Sequence, residues 1–436
     1  MIFAVILSVA LLVLLVGIGK IQPFLAFIIS ALAAGLMLGM PVDKIPASIE
    51  TGIGSLLGSL SIIICLGAMF GKLIADSGAA QRIAHSLVSM FGQRRITYAL
   101  ACTGFVTGIP LFYNVGFVLM VPLLFSIVYR TKLPAVYLGI PLLAGLSIAH
   151  GFLPPHPSPT ALVGQLGASM GLTLLYGFIV AVPTLLIAGP IFATTLRNMH
   201  CTPLELFTAE ELPEDQLPGA GLSFFCALLP VALIAVATLV QHLVPLSGEG
   251  AKTLAFVGNP SIVMLLALTV ATLALGPLRG ISLGKIMARY GDAVRDIAGI
   301  LLIIAGAGAL KQIYVDSGVS AELGASLAAL PIQPLLLGWL VAAVIRICLG
   351  SATVAGLTAA SIVAPLVSTT GVDPNLMVLA VGAGSLMCSH VNDSGFWMFK
   401  EYFNLNLRDT FRSWSLMETI VGLAGLAFVM LLSLFV

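Results

Sequence analysis

Apolar runs of about 20 residues, the length at which a helix crosses the hydrocarbon core of a bilayer, recur along the whole chain. Three fill the first part, about residues 2–19, 21–40 and 51–74, and an amphipathic stretch from Ala79 to Phe91 with Arg82 and His85 follows. From Ile96 to Tyr129 the chain is apolar for 34 residues, interrupted by Gly108-Ile109-Pro110 and by Tyr113-Asn114. That is too long for one crossing and too short for two with a loop, and the central Gly/Pro break predicts a re-entrant hairpin. The next span, Pro134 to Leu153, runs into GFLPPHPSPT. Pro154, Pro155, Pro157 and Pro159 forbid a continuous helix there, since each removes a donor and clashes with the preceding turn. A span at about 172–196 completes this half.

Residues 198–220 carry Glu205, Glu210, Glu211, Glu214 and Asp215 and form the one long hydrophilic connector. It divides the chain into units 1–197 and 221–436. The second unit repeats the order of the first, with spans near 221–243, 254–278 and 292–314, an amphipathic stretch, a broken run at 334–370, a broken span at 374–403 and a final span at 415–436. A shift of 240 residues sets Asp76-Ser77-Gly78 on Asp316-Ser317-Gly318, Pro134 on Pro374 and His150 on His390. Five identities in the twelve columns from Asp76, with the matched element order, mark an internal repeat.

The pattern predicts an all-α polytopic membrane protein built as two repeats of five crossings, each with a re-entrant hairpin and a broken helix. Five is odd, so the repeats are expected to be inverted, with both termini outside and the connector cytoplasmic. Loop charge agrees: one face receives fifteen Lys and Arg, the other Lys44, Lys252 and Lys311, and Arg346 falls inside a hairpin. The run from Ile2 to Ile18 has no basic n-region or cleavage motif and is expected to be a retained helix.

Composition sharpens this picture. Only 8% of the 436 residues are charged, against about 25% in a soluble domain, and 59% are apolar. Nineteen Lys and Arg against eighteen Asp and Glu give a net charge of +1, which excludes a nucleic-acid binder. The six cysteines are scattered singly, without the paired spacing of a zinc site or a disulfide framework.

Four irregular segments are predicted at membrane depth: Gly108–Gly116, His150–Thr160, Leu349–Gly356 and Ser389–Gly395. Irregular backbone is tolerated there only where protein or a wet cavity covers it, so all four are expected to converge on one site. Half-helix N-termini at such breaks suit an anion. Arg346, one turn before the second hairpin tip, offers a planar fork matched to a carboxylate, although a structural pair with Asp393 would also account for it. Ser351 and Thr353 offer hydroxyls to a polyol, or cap a half-helix. His150, Asn392 and Asp393 are expected to complete the site, with Tyr113 and Asn114 at the first hairpin tip. No helical metal-ligand spacing joins the histidines, so neither metal nor cofactor is expected. Asp76 and Asp316 read as helix caps, and Gly54-Ser55-Leu56-Leu57-Gly58 as a helix-packing face. Gly167-Ala168-Ser169-Met170-Gly171 fits a hydrolase motif but lacks its strand-turn-helix context.

AHGFLPPHPSPT, LGSATVAGLTA and SHVNDSGFWMFKEYFN, with Asp-Ser-Gly in both halves, resemble the gluconate permease family of sugar-acid:proton symporters in the ion-transporter superfamily. The likeness runs from the second span to the C-terminus. It implies uptake of gluconate or a related hydroxy acid, a bacterial inner-membrane location, proton coupling, a homodimer, and a scaffold with a mobile domain working as an elevator. An intramembrane enzyme using His390 and Asp393, and an anion channel, are the competing classes. One position departs from the family: Asn114 stands where the resemblance leads to a glutamate. An amide cannot titrate, so the remaining proton-coupling candidates are Asp393, then His150 and His390, and coupling is expected to be weakened or lost.

Overall fold

The computed structural model describes residues 2–199, 201, 212–243, 248–391 and 393–436. Among them it is helical with no strand. The first half holds α1 (Ile2–Val13, extended by a π turn at Leu14–Ile18), α2 (Pro23–Met37), α3 (Lys44–Asp76), α4 (Ala79–Phe91), α5 (Ile96–Gly108), α6 (Tyr113–Thr131), α7 (Ala135–Phe152), α8 (Pro157–Leu166) and α9 (Met170–Leu186). The second holds α10 (Ala220–Leu243), α11 (Gly248–Val257), α12 (Pro260–Leu275), α13 (Leu283–Asp316), α14 (Val319–Ala328), α15 (Pro334–Leu349), α16 (Ala352–Thr370), α17 (Pro374–Ser385), α18 (Ser394–Tyr402), α19 (Leu407–Thr410) and α20 (Leu416–Leu432). Several helices start with proline at the first position, where its missing N–H leaves nothing unpaired. In α2, α12, α15 and α17 the preceding Gln22, Asn259, Gln333 or Asp373 caps the next free N–H groups with its side chain.

Seven helical stretches among the described residues are long and apolar enough to cross a membrane, and α3, bent by 44° between Gly58 and Leu60, makes an eighth. α1 and α2 are apolar but shorter. All four expected breaks are present, between α5 and α6, α7 and α8, α15 and α16, and α17 and α18. Three expectations need correction. α3 and α13 begin at Lys44 and Leu283, earlier than 51 and 292, because their first turns are polar and escape a hydropathy window. The run 254–278 is interrupted at Gly258-Asn259, where Asn259 caps α12. The last helix enters through a π turn at Phe411–Ser415.

α3 and α13 are the longest helices and run antiparallel. Ser48 near the start of α3 donates to Asp316 at the end of α13 (2.6 Å), and Arg289 near the start of α13 pairs with Asp76 at the end of α3 (3.4 Å). The two aspartates therefore tie helices together and are not N-caps. The left-handed residues that open α4 and α14 are Gly78 (φ 77°) and Gly318 (φ 76°), which L side chains rarely match. Between the cross-ties the backbones touch: a Cβ on Gly52 would meet the Gly308 carbonyl, and one on Gly308 would meet the Gly52 carbonyl. Close approach through small residues supplies the packing that hydrophobicity cannot supply in lipid. Gly54 and Gly58, expected on this face, have nothing within 4 Å of an added Cβ. At 3.6 residues per turn, Gly54 is turned about 200° away from Gly52.

The helices form two packing groups. α1, α2, α3, α12 and α13 pack mainly on one another, α5 to α9 and α15 to α20 form the second group, and α10 lies between them against α4, α12 and α9. α7 with α8 is its centre, with 89% of the most apolar window buried. In-span hydroxyls are mostly satisfied within their own helix, as in Thr103 to Ala99 O (2.8 Å) and Thr358 to Val354 O (2.7 Å). The end of the connector docks on α4, where Arg82 donates to Pro218 O (2.8 Å) and Glu214 O (2.9 Å). Glu205, Glu210 and Glu211 lie outside the described residues.

Overpacking a tight contact costs about 1–3 kcal/mol. Gly52→Leu and Gly308→Leu should each lower the thermal midpoint of detergent-purified protein, whereas Gly54→Leu, facing open space, should leave it unchanged.

Candidate functional site

Three of the four breaks, together with Ser147 and His150 near the end of α7, line a cavity of about 240 Å³, smaller than the roughly 300–1,000 Å³ of a drug-sized cleft. Seven residues singled out from the sequence line it: Tyr113, Asn114, His150, Arg346, Ser351, Thr353 and Asp393. Asn392 lies outside the described residues. His390 is not among the lining side chains, and its Nε2 meets the Ile347 carbonyl at 2.9 Å.

Helix ends build the walls. The first residues of α6 (Tyr113, Asn114), α16 (Ala352, Thr353) and α18 (Ser394, Gly395) all line the cavity, so three N-termini direct their positive ends at it. Ser351 caps α16 by accepting from Val354 N (3.4 Å), and Asp393 caps α18 by accepting from Gly395 N (3.0 Å). α6 has no side-chain cap. His156 bridges two breaks: its Nε2 meets the Gly108 carbonyl at 2.5 Å, so that nitrogen donates.

Arg346 is 3% exposed, and its Nη2 donates to Asp393 Oδ2 at 2.5 Å. Ser389 Oγ donates to the same oxygen, and Trp414 Nε1 donates to Ser389 Oγ at 2.7 Å. Both oxygens of Asp393 are thus engaged. The guanidinium is not satisfied: Nε and Nη1 are buried without a partner. The Tyr113 hydroxyl and His150 Nδ1 are also buried and unpartnered at this cavity. Buried polar groups in native proteins are almost always hydrogen-bonded, so several orphans around one cavity mark a place for a polar, anionic ligand.

Sequence reading missed three polar lining side chains, Ser147, Trp414 and Glu418. Glu418 is 2% exposed, has Ser147 as a hydrogen-bond partner and leaves Oε2 unpartnered. Its signal was present, since a carboxylate inside an apolar span is rare and usually functional. The final span was read for its apolar length, which hid it.

The sequence profile described as GntP family permease matches residues 1–435. The chain is 46% identical over 429 residues to the high-affinity gluconate transporter of Escherichia coli K12, covering 98% of each chain. It is 44% identical over 417 residues to the Gnt-II system L-idonate transporter of the same organism, covering 95% of each. In three dimensions it is similar to the YdaH transporter of Alcanivorax borkumensis, with a TM-score of 0.70 over 94% of this chain and 97% of that one, at 17% identity. That last likeness establishes the fold alone. Matched by the family profile almost from end to end and aligned over nearly its full length with these relatives, the chain belongs to the GntP family of permeases, membrane transporters and not enzymes.

Proposed function

We propose that this protein is a secondary transporter that imports gluconate or a related sugar acid across the bacterial inner membrane, driven by protons. The observation that carries the substrate class is Arg346, whose buried Nε and Nη1 have no partner beside three helix N-termini. A carboxylate bound to that free edge would complete the fork, while Ser351, Thr353, Tyr113, His150 and Asn114 would meet a polyol chain, with Asn392 added to that set on the sequence alone. Asp393 holds the guanidinium from its other side.

Alternating access would follow an elevator motion. The cavity is walled by the second packing group except for Ile300 and Ile303 of α13, which offer an apolar surface with no hydrogen bond to break during sliding. Units 1–197 and 221–436 would be inverted repeats joined by a cytoplasmic connector at 198–220, with ten crossings, two re-entrant hairpins and both termini outside. The antiparallel α3 and α13, 33 and 34 residues long, and the matched left-handed Gly78 and Gly318 support that inversion. A homodimer embedded in the lipid bilayer is part of the proposal. A second reading, a sugar-acid carrier that is uncoupled or uses another ion, is favoured by Asn114, an amide in the cavity where the resemblance calls for an acid.

Radiolabelled gluconate should accumulate above its equilibrium level in proteoliposomes under an imposed pH gradient. Equilibration without accumulation would favour the second reading, and no uptake at all would reject a gluconate carrier.

Truncating one partner of a buried charge pair costs about 2–5 kcal/mol. Arg346→Ala should therefore weaken gluconate binding roughly 30-fold or more, and Arg346→Lys should also bind poorly because an ammonium lacks the fork. Unchanged affinity in a stable variant would make Arg346 structural.

With the native cysteines replaced, Glu210→Cys should react with a membrane-impermeant maleimide only after the cytoplasmic face is opened. Labelling from the periplasm would reverse the topology.

A further inference from the structure

Glu418 is a buried acid whose role the preceding description does not settle. It lies on the first turn of α20, three residues beyond the π turn Phe411–Ser415. That turn is pinned to the irregular segment before α18, with Trp414 Nε1 on Ser389 Oγ at 2.7 Å and Ser415 Oγ donating to the Ser389 carbonyl. The carboxyl is thereby held at the cavity wall, 2% exposed, with Oε2 unpartnered.

The groups around it are few. α15 supplies Arg346 and the exposed Cys348, the segment before α18 supplies Asp393, α6 supplies Tyr113, and α7 supplies His150 besides the distant Tyr137, which lies under Arg197. Tyr176 is the one titratable residue of α9, α17 and the π turn Ile187–Ile191 have none, and Arg412 of the preceding π turn is exposed. The one lining cation already faces Asp393 at 2.5 Å, so that pair sums to zero. An ionised Glu418 would give the empty cavity a charge of −1, and an entering carboxylate would make it −2. Uncompensated charge in a low-dielectric site is strongly unfavourable. A neutral Glu418 removes the conflict, and its O–H then points a donor into the space the ligand occupies.

We infer that Glu418 is the coupling acid of this transporter: it takes one proton from solution as the anion binds and returns it on the opposite side as the anion leaves. This rests on the reading of the cavity as an anion carrier. No bond in the substrate is made or broken, and each cycle moves one anion and one proton. Asp393 is a poorer carrier because its oxygens already accept from Arg346, Ser389 and Gly395, and protonating it would strand a buried guanidinium. His390 is held by the Ile347 carbonyl away from the lining. The position also accounts for how a chain with Asn114 retains an acid at the cavity.

The test compares the unaltered protein with Glu418→Gln, Glu418→Asp and His150→Gln, using D-gluconate. In weakly buffered solution the unaltered protein should take up about one proton per gluconate bound. Glu418→Gln should take up none and lose pH-gradient-driven accumulation, while Glu418→Asp, which keeps an acid, should retain both. Undiminished accumulation by Glu418→Gln, or loss of proton uptake in His150→Gln with Glu418→Gln unaffected, overturns the proposal. Infrared spectra provide a readout free of transport. A protonated-carboxyl carbonyl band that appears when D-gluconate is added to the unaltered protein, and is missing in Glu418→Gln or shifted in Glu418→Asp, supports it, and identical spectra overturn it. If the unaltered protein ignores gluconate, the substrate reading fails alone, and an infrared pH titration of the ligand-free protein still decides whether Glu418 takes a proton: a carboxylate band lost on acidification and missing in Glu418→Gln supports it, and identical titrations overturn it. If Glu418→Gln does not assemble, Glu418→Asp and the unaltered protein give the same decision.

Discussion

Four chain breaks leave backbone and side-chain polar groups that lipid could not satisfy, and the contact that ties two of them together is the Arg346–Asp393 pair. Arg346 sits at the end of α15 and Asp393 at the start of α18, so one ion pair joins the α15–α16 break to the α17–α18 break. Asp393 caps α18 and anchors Ser389, which receives Trp414 and, through its carbonyl, Ser415. His156 on Gly108 fastens the remaining two breaks to each other. An unpaired charge at this depth would cost several kcal/mol. The pair therefore fixes how those two segments lie against each other.

Around this polar centre the rest of the molecule is built by close packing. The α3–α13 seam brings two backbones into contact at Gly52 and Gly308 and is cross-tied at both ends. Most hydroxyls elsewhere in the spans turn back on their own helices, as Thr107 does to Thr103 O (2.7 Å) and Thr184 to Val180 O (2.7 Å), while those of Ser30 and Thr160 are buried without a partner. They add polarity to the composition without adding sites. That economy is why the few orphaned atoms at the cavity carry information.

Much of this was legible in the sequence because proline and glycine act locally. Pro154 to Pro159 fixed the α7–α8 break, and Gly350 with Ser351 fixed the α15–α16 break, since the missing donor and the left-handed turn (Gly350 φ 76°) belong to those residues themselves. Less local features were hidden. The starts of α3 and α13 hold Lys44, Lys285 and Arg289, polar residues that a hydropathy window discards although the helix continues through them. The packing glycines were placed on the wrong side of α3 because spacing along a helix does not say which face meets a partner. Glu418 was overlooked because one acid barely changes the mean of a long apolar run. Its burial and its missing partner are properties of the assembled cavity.

The three helix N-termini at the cavity have a consequence for how such a site can diversify. The field they produce comes from peptide units, which every amino acid carries alike, so substitutions in the lining cannot abolish it. Replacing Asn114, Ser351 or Thr353 changes the shape and hydrogen bonding presented to a ligand, but leaves the sign of that backbone field in place. Preference for negative charge is thus held partly in main-chain geometry, beside Arg346, whereas preference for a particular carbon skeleton lies in the other lining side chains. A lineage can exchange one acid for another by point mutation while its appetite for acids persists.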